Sequence, residues 1–374
     1  MRTRSGRGAS RGRELSGREQ PSAERYGARR RTVNGRWLVL GKDGRLTAYA
    51  RTDDGLLRWT ETRPGGPEWT GPDFFPVPHL THLSVVQGAD TYVHFVGRRV
   101  TDGKGGPPAT DIVHAIQYQT GRPVTEWRSL DNPHPDPQKA ARLGAPAAAV
   151  SASGRVHVFV RNAGGGVMLR RETPGGKWDR WHDLRGSGVQ DGLAALAHGS
   201  GRIELLAVGE HNLTWWRQHE PDGEFQREPT MPVRVAPGTA SAIETAPDRA
   251  TYYWTDPGAG GIVAHRLGGW PIPLGGAPAA EPVAVVRAVL DGYDCTVLAH
   301  RDVAGQVMLA ACGTENEQSG VWWSQTGEHS ETAPALAVDA LGRVVLAVLG
   351  RDGSLRVARQ SGEPGLSMTP SVPV

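Results

Sequence analysis

The chain repeats itself, and the period of the repeat limits what it can fold into. A turn residue followed by a β-branched run recurs seven times: "GRLTAYA" at Gly44, "DTYVHFV" at Asp90, "GRVHVFV" at Gly154, "GRIELLA" at Gly201, "DRATYYW" at Asp248, "DCTVLAH" at Asp294 and "GRVVLAV" at Gly342. Successive starts lie 46, 64, 47, 47, 46 and 48 residues apart. The long interval holds a Gly/Pro-rich insert, "TDGKGGPPATD", and a Pro-rich one, "DNPHPDPQKAARLGAP". A fixed period of this length marks a repeat architecture, in which each unit buries its apolar face only against its neighbours.

Each unit keeps one internal order. A run of small apolar residues ("AAAV", "AALA", "ALAV") precedes the long strand, and a turn leads to a third run ("VMLRRET", "LTWWRQH"). A fourth segment often carries Trp ("KWDRWHDL", "VWWSQ"), and 50 Gly and 28 Pro supply the turns. Alternation and turn chemistry argue for hairpins, and no stretch shows a capped 3.6-residue apolar stripe. Four strands in about 45 residues is the spacing of a propeller blade. The expectation is an all-β fold: a seven-bladed β-propeller of four-stranded antiparallel blades over residues 33–374. Small residues of each first strand would suit a crowded central axis. The ring closes in one of two ways: "LSMTPSVPV" completes the seventh blade, or a strand near the N-terminus does.

The net charge of +3 hides an asymmetry, because residues 1–32 hold ten Arg and three Glu. This Arg/Gly/Ser-rich tail has almost no apolar residues and reads as disordered. Nucleic acid is expected to engage only weakly, through this tail. No apolar segment follows the arginines, so the tail is not a secretory signal and a cytoplasmic location is expected, with export by another route left open. No run approaches the ~18 apolar residues of a membrane span.

The residues "GGKWDRWHDLRG" and "GRIELLAVGEHNLTWWRQ" resemble the PLL-like seven-bladed β-propellers, some of which are sugar-binding lectins for fucose-type ligands; tectonin-like propellers are similar. The third repeat carries the resemblance furthest, with Gly154, Arg155, Trp178 and Trp181; the fourth keeps Arg202, Trp215 and Trp216, and the first keeps Asp54, Gly55, Trp59 and Trp69. The fifth and seventh repeats keep little of the signature. The resemblance implies shallow sugar sites between blades, where an indole stacks on a sugar's C–H face and polar neighbours meet its hydroxyls. Candidate ligand-binding residues are Trp59, Trp69, Arg155, Trp178, Trp181, His182 and Trp216. The competing reading is that blade tryptophans pack sheet on sheet. In the doublets Trp215-Trp216 and Trp322-Trp323 the two side chains must take opposite faces.

The scattered histidines lack the converging partners of a metal site, and neither metal nor cofactor is expected. Nucleophile-elbow, P-loop and zinc-protease signatures are absent, so no catalytic residue is named. Three functions are weighed. The first is non-catalytic carbohydrate binding. The second is a protein-interaction platform with degenerate sugar sites, contacting its partner through the loop around Gly103–Thr110. The third is a hydrolase or lyase with acids or histidines gathered at the channel mouth. Finally, a symmetric hairpin would set Cys295 opposite Cys312, Val297 opposite Ala310 and Ala299 opposite Met308. A cross-strand disulfide is then conceivable, against two reduced thiols, the reading the lack of an export signal favours.

Overall fold

The second strand of a repeat is buried on both faces, as in Leu46–Arg51, Ile203–Val208 and Val344–Leu349. A strand buried on both sides needs a sheet packed against each, which explains its near-continuous apolar sequence. The computed structural model describes residues 33–102 and 108–374. The basic tail and the tip of the Gly103–Thr110 loop lie outside the described residues.

The inner strands of blades 1 to 7 are Leu38–Leu40, Leu80–Gln87, Ala147–Val150, Ala194–Ala197, Ser241–Ala246, Ala284–Leu290 and Ala335–Val338. Each starts an antiparallel meander of four consecutive strands; in blade 3 these continue as Val156–Arg161, Val167–Arg171 and His182–Arg185. The protein is thus a seven-bladed β-propeller. The long second interval accommodates a short helix, Pro137–Ala141, capped by Asp136, whose Oδ1 accepts from Lys139 N at 2.8 Å. No helix among the described residues is long and apolar enough to cross a membrane.

Each blade is built from contiguous sequence. The C-terminal Val372–Pro373 pairs with Arg356–Val357 and completes blade 7, the first of the two expected closures. Blade 7 then packs directly on blade 1. Trp37 Nε1 donates to Ala333 O at 3.3 Å, Arg343 Nη2 to Gly65 O at 2.6 Å and Arg359 Nη2 to Glu61 Oε1 at 2.5 Å. Among the described residues the N-terminal segment closes no blade. Asn34–Gly35 instead runs parallel to Ser84–Val85 on the inner edge of blade 2, inside the channel.

The Gly-Arg motif has two separable purposes. Its glycine ends the turn between first and second strands in the left-handed region: Gly44, Gly154, Gly201 and Gly342 have φ of 77, 80, 91 and 78°. Asp248 does the same at 57°, a conformation Asp tolerates better than most residues. In blades 3, 4 and 5 the arginine reaches the next blade, whereas Arg45 of blade 1 pairs with Asp43 of its own turn at 2.8 Å. Arg155 pairs with Asp222 of blade 4, Arg202 Nη2 meets Asp248 of blade 5 at 2.9 Å, and Arg249 Nε meets Glu315 of blade 6 at 2.6 Å. Blade 6 departs from the pattern, because its turn is the two-residue Asp291–Gly292 and Asp294 lies within the strand. There Asp291 Oδ2 accepts from Gly365 N of blade 7 at 2.7 Å.

The cysteine hairpin is offset by one residue from the symmetric expectation. Cys295 lies opposite Gly313 and Cys312 opposite Thr296, while Val297 faces Ala311 and Ala299 faces Leu309. The loop is the cause. Gly305, at φ 89°, adds a residue to a turn tied by Asp302, whose N donates to Gln306 O at 2.9 Å. A one-residue slip puts the thiols on opposite faces of the sheet, and both cysteines are free.

Candidate functional site

The tryptophans separate into mortar and groove. A tie recurs that the sequence did not reveal: an indole N–H donates to a carbonyl on the outer strand of the preceding blade. Trp181 Nε1 donates to Leu130 O at 3.0 Å, Trp216 Nε1 to Leu184 O at 3.0 Å and Trp323 Nε1 to Leu274 O at 2.9 Å. Trp181 and Trp323 each stand just before the fourth strand of their blade, whereas Trp216 lies in a third strand, so no single spacing covers all three.

Trp59 and Trp216 are each 1% exposed and present no ring face to a ligand. Their expected place in a groove is corrected: they fill the wedge between blades. Trp215 packs toward blade 5 and Trp216 toward blade 3, on opposite faces of their strand. Arg155 is paired with Asp222 of blade 4, on the opposite side of blade 3 from Trp178 and Trp181. Trp69 is half-buried in the outer strand of blade 1 against the core shared by blades 1, 2 and 7.

The remaining candidates, Trp178, Trp181 and His182, lie together between blades 2 and 3. Both indoles are half-buried. The Trp178 ring stands edge-on to His114 of blade 2, centroids 5.2 Å apart, and Arg170 lies 5.9 Å from the centroid of Trp181. Arg170 Nε donates to Asp179 O at 2.8 Å, and its Nη1 reaches Leu130 O and Asp131 Oδ2. His182 Nε2 donates to Asp179 Oδ2 at 2.9 Å. That bond, and then the Arg180 backbone N–H, hold the Asp179 carboxyl below its usual range. The floor is a histidine pair, His94 Nδ1 and His114 Nε2 at 3.2 Å, one ring donating to the other. Burial lowers both, His94 to about 4 and His114 to about 3, the latter helped by His94 and Arg128. The groove therefore offers aromatic faces, a neutral imidazole floor, and a rim of anionic acceptors and a cation.

The junction of blades 4 and 5 is different. Among the described residues His198, Glu244 and Asp248 are the one group with metal-ligand spacing. Their atoms already serve one another. His198 Nδ1 meets Glu244 Oε1 and His198 Nε2 meets Glu204 Oε1, each at 3.2 Å, while Arg202 covers Asp248. Glu204 also accepts from Tyr252 Oη at 2.5 Å and Arg217 Nε at 2.7 Å. Burial opposes ionisation of Glu204, yet His198, Tyr252 and Arg217 outweigh it and lower its pKa to about 2. Burial likewise opposes the His198 charge, and Glu204 and Glu244 override it and raise that pKa. This is an ion network rather than an open coordination site. The axial channel, where the enzyme reading placed acids or histidines, has neither in its lining among the described residues.

Known structures share this fold. The BP39L lectin from Burkholderia pseudomallei superposes with a TM-score of 0.65 at 15% identity, covering 92% of this chain and 100% of that one. A polysaccharide lyase, an ulvan lyase, gives 0.53 at 13% identity over 92% and 95%. AofleA from Arthrobotrys oligospora gives 0.51 at 13% over 79% and 88%. The shared architecture is the β-propeller, and at these identities the likeness is one of fold. No protein-family model matches the chain, and no curated protein matches it in sequence.

Proposed function

We propose that this propeller is a non-catalytic carbohydrate-binding protein whose site is the groove between blades 2 and 3. The observation that carries the reading is the pairing of two half-buried indoles, Trp178 and Trp181, with the Asp179–His182 couple and Arg170 at one rim. A sugar needs that combination of an apolar platform with polar groups beside it. The whole-length likeness to a lectin supports it, and the resemblance read in the sequence points to a fucose-type ligand. Trp178, Trp181 and His182 contact the sugar in this reading, and Trp69 marks a second position on blade 1. Trp59, Trp216 and Arg155 act by holding blades together.

A glycan-array screen followed by calorimetry with α-methyl fucoside tests it. A saturable sugar response that Trp178→Ala abolishes, in a chain that still melts cooperatively, supports the proposal. A folded protein with no glycan response rejects it. The weight would then move to a protein-interaction surface, a reading favoured by Trp270 and Trp322. These are 89% and 85% exposed on the third-to-fourth-strand connections of adjacent blades.

A further inference from the structure

The central channel has chemistry that the groove does not explain. The seven inner strands enclose a cavity of 410 Å³ on the axis, walled mainly by Ala, Val and Leu from all seven blades. Among the described residues one charged side chain lines it, Arg36. The chain on both sides of Arg36 is anchored. Asn34–Gly35 is paired to blade 2, Leu38–Leu40 is the inner strand of blade 1, and Trp37 is tied to Ala333.

The repeat arginines described above are all clasped by an acid or a carbonyl. Arg36 has no hydrogen-bond or ion-pair partner among the described residues. Its side chain is exposed to the solvent of the channel rather than packed into the wall. Ser241 adds a second unmatched group to the same wall, a buried hydroxyl with no partner among the described residues.

An unpaired guanidinium facing a mainly apolar channel is the one charged group there, among the described residues, that an anion can meet. Its planar fork suits a carboxylate, to which it can donate two parallel hydrogen bonds. The walls impose the second requirement. A hexose would bring hydroxyls against Ala and Val side chains that cannot pair with them, whereas a hydrocarbon body gains by burial there. The cavity lies at the lower end of the roughly 300–1,000 Å³ range of small-molecule sites.

We propose that the central channel binds a small amphiphilic carboxylate, its head on Arg36 and its apolar body against the alanine- and valine-rich wall. This site is separate from the groove between blades 2 and 3 and does not depend on sugar binding. Calorimetry on the full chain with sodium octanoate, 1-octanol and α-methyl fucoside tests it.

Octanoate should bind saturably at one per chain, at least roughly tenfold more tightly than octanol, the usual scale for a charge-assisted hydrogen bond. Raised salt should weaken octanoate and leave octanol unchanged. Arg36→Gln should remove the preference for octanoate while leaving the fucoside response intact. Ala195→Leu, which narrows the channel, should weaken both eight-carbon probes. No saturable octanoate binding, or equal affinity for octanoate and octanol in the unmodified chain, would overturn the proposal whatever the variants do. So would an Arg36→Gln chain that binds octanoate as tightly as the parent.

Discussion

The junctions between blades 2 and 3 and between blades 4 and 5 come from the same repeat, yet one stays open and the other is sealed. At the sealed junction Trp215, Tyr252 and Trp254 are at most 1% exposed, and the Glu204 network spans the blades beside them. At the open one Trp178 and Trp181 keep part of their rings in solvent, and the charges stand on the rim, with Asp131 75% exposed. A tryptophan in a blade is therefore not evidence of a site by itself. What decides is whether the neighbouring blade supplies aromatics and ions enough to fill the wedge.

The largest effects should come from the sealed side. Glu204→Ala strands Arg217, His198 and Tyr252 in a buried setting and should cost about 3–5 kcal/mol, the scale for removing one member of a buried pair. Asp131→Asn, its rim counterpart, keeps a residue that tolerates the left-handed φ of 56° there and should change stability by less than about 0.5 kcal/mol. Urea denaturation of both reads the contrast. A small loss for Glu204→Ala would mean that water already penetrates the junction and that the two are less different than their packing indicates.

Next come the tryptophans. Trp216→Ala removes a fully enclosed indole with its bond to Leu184 and should cost about 3–5 kcal/mol. Trp178→Ala deletes a half-exposed ring and should cost roughly half as much, while abolishing the sugar response that Trp216→Ala leaves in whatever fraction folds. If Trp178→Ala keeps full affinity, the open groove is only a packing defect.

These contrasts show what the sequence could and could not reveal. The period of the turn-and-strand motif was enough to predict seven blades, because strand count and turn chemistry are local. The doublet rule also placed Trp215 and Trp216 on opposite faces, because strand alternation is local. Burial of Trp59 and Trp216 was not legible, since it depends on which residues the adjoining blade presents. The partner of Arg155 was hidden for the same reason, lying 67 residues away at Asp222. The cysteine register failed through one left-handed glycine, Gly305, which the symmetric reading treated as an ordinary turn residue.

Buried histidines should also respond oppositely to pH, and the sealed junction holds both kinds, since His265 packs on Trp215 there beside His198. Burial holds His94, His157 and His265 at about 4 and His114 at about 3, against an unfolded value near 6.5. The unfolded chain then takes up protons first, so stability is full above pH ~6.5 and falls toward pH ~4, by about 1.4 kcal/mol per pH unit for each histidine. His265, whose two ring nitrogens lack partners among the described residues, gives the clean test. His265→Phe should flatten this acid limb in urea midpoints taken between pH 7.5 and 5. His198 has the opposite sign: its pKa is raised, so its contribution is present below pH ~6.5 and disappears as pH rises through the raised value. His198→Asn should therefore cost more at pH 6 than at pH 9. An acid limb unchanged by His265→Phe would show that this ring is hydrated and that its surroundings are looser than its 2% exposure implies.

The smallest expected effect separates a clasp from a contact. Arg155 and Asp222 are each 19% exposed, so solvent screens the pair, and Arg155→Gln should cost about 1 kcal/mol or less, shrinking further in high salt. Because the clasp joins blades 3 and 4, and the groove lies on the other side of blade 3, sugar affinity should stay within about twofold, less than ~0.5 kcal/mol. Calorimetry beside a urea curve distinguishes the cases. Unchanged affinity with a small stability loss assigns the repeat arginine to blade cohesion, and the recurrence of Gly-Arg along the chain is then a record of how neighbouring blades are fastened. A sharp loss of sugar binding with stability intact would return Arg155 to the ligand and move the site from the open junction to the neighbouring one.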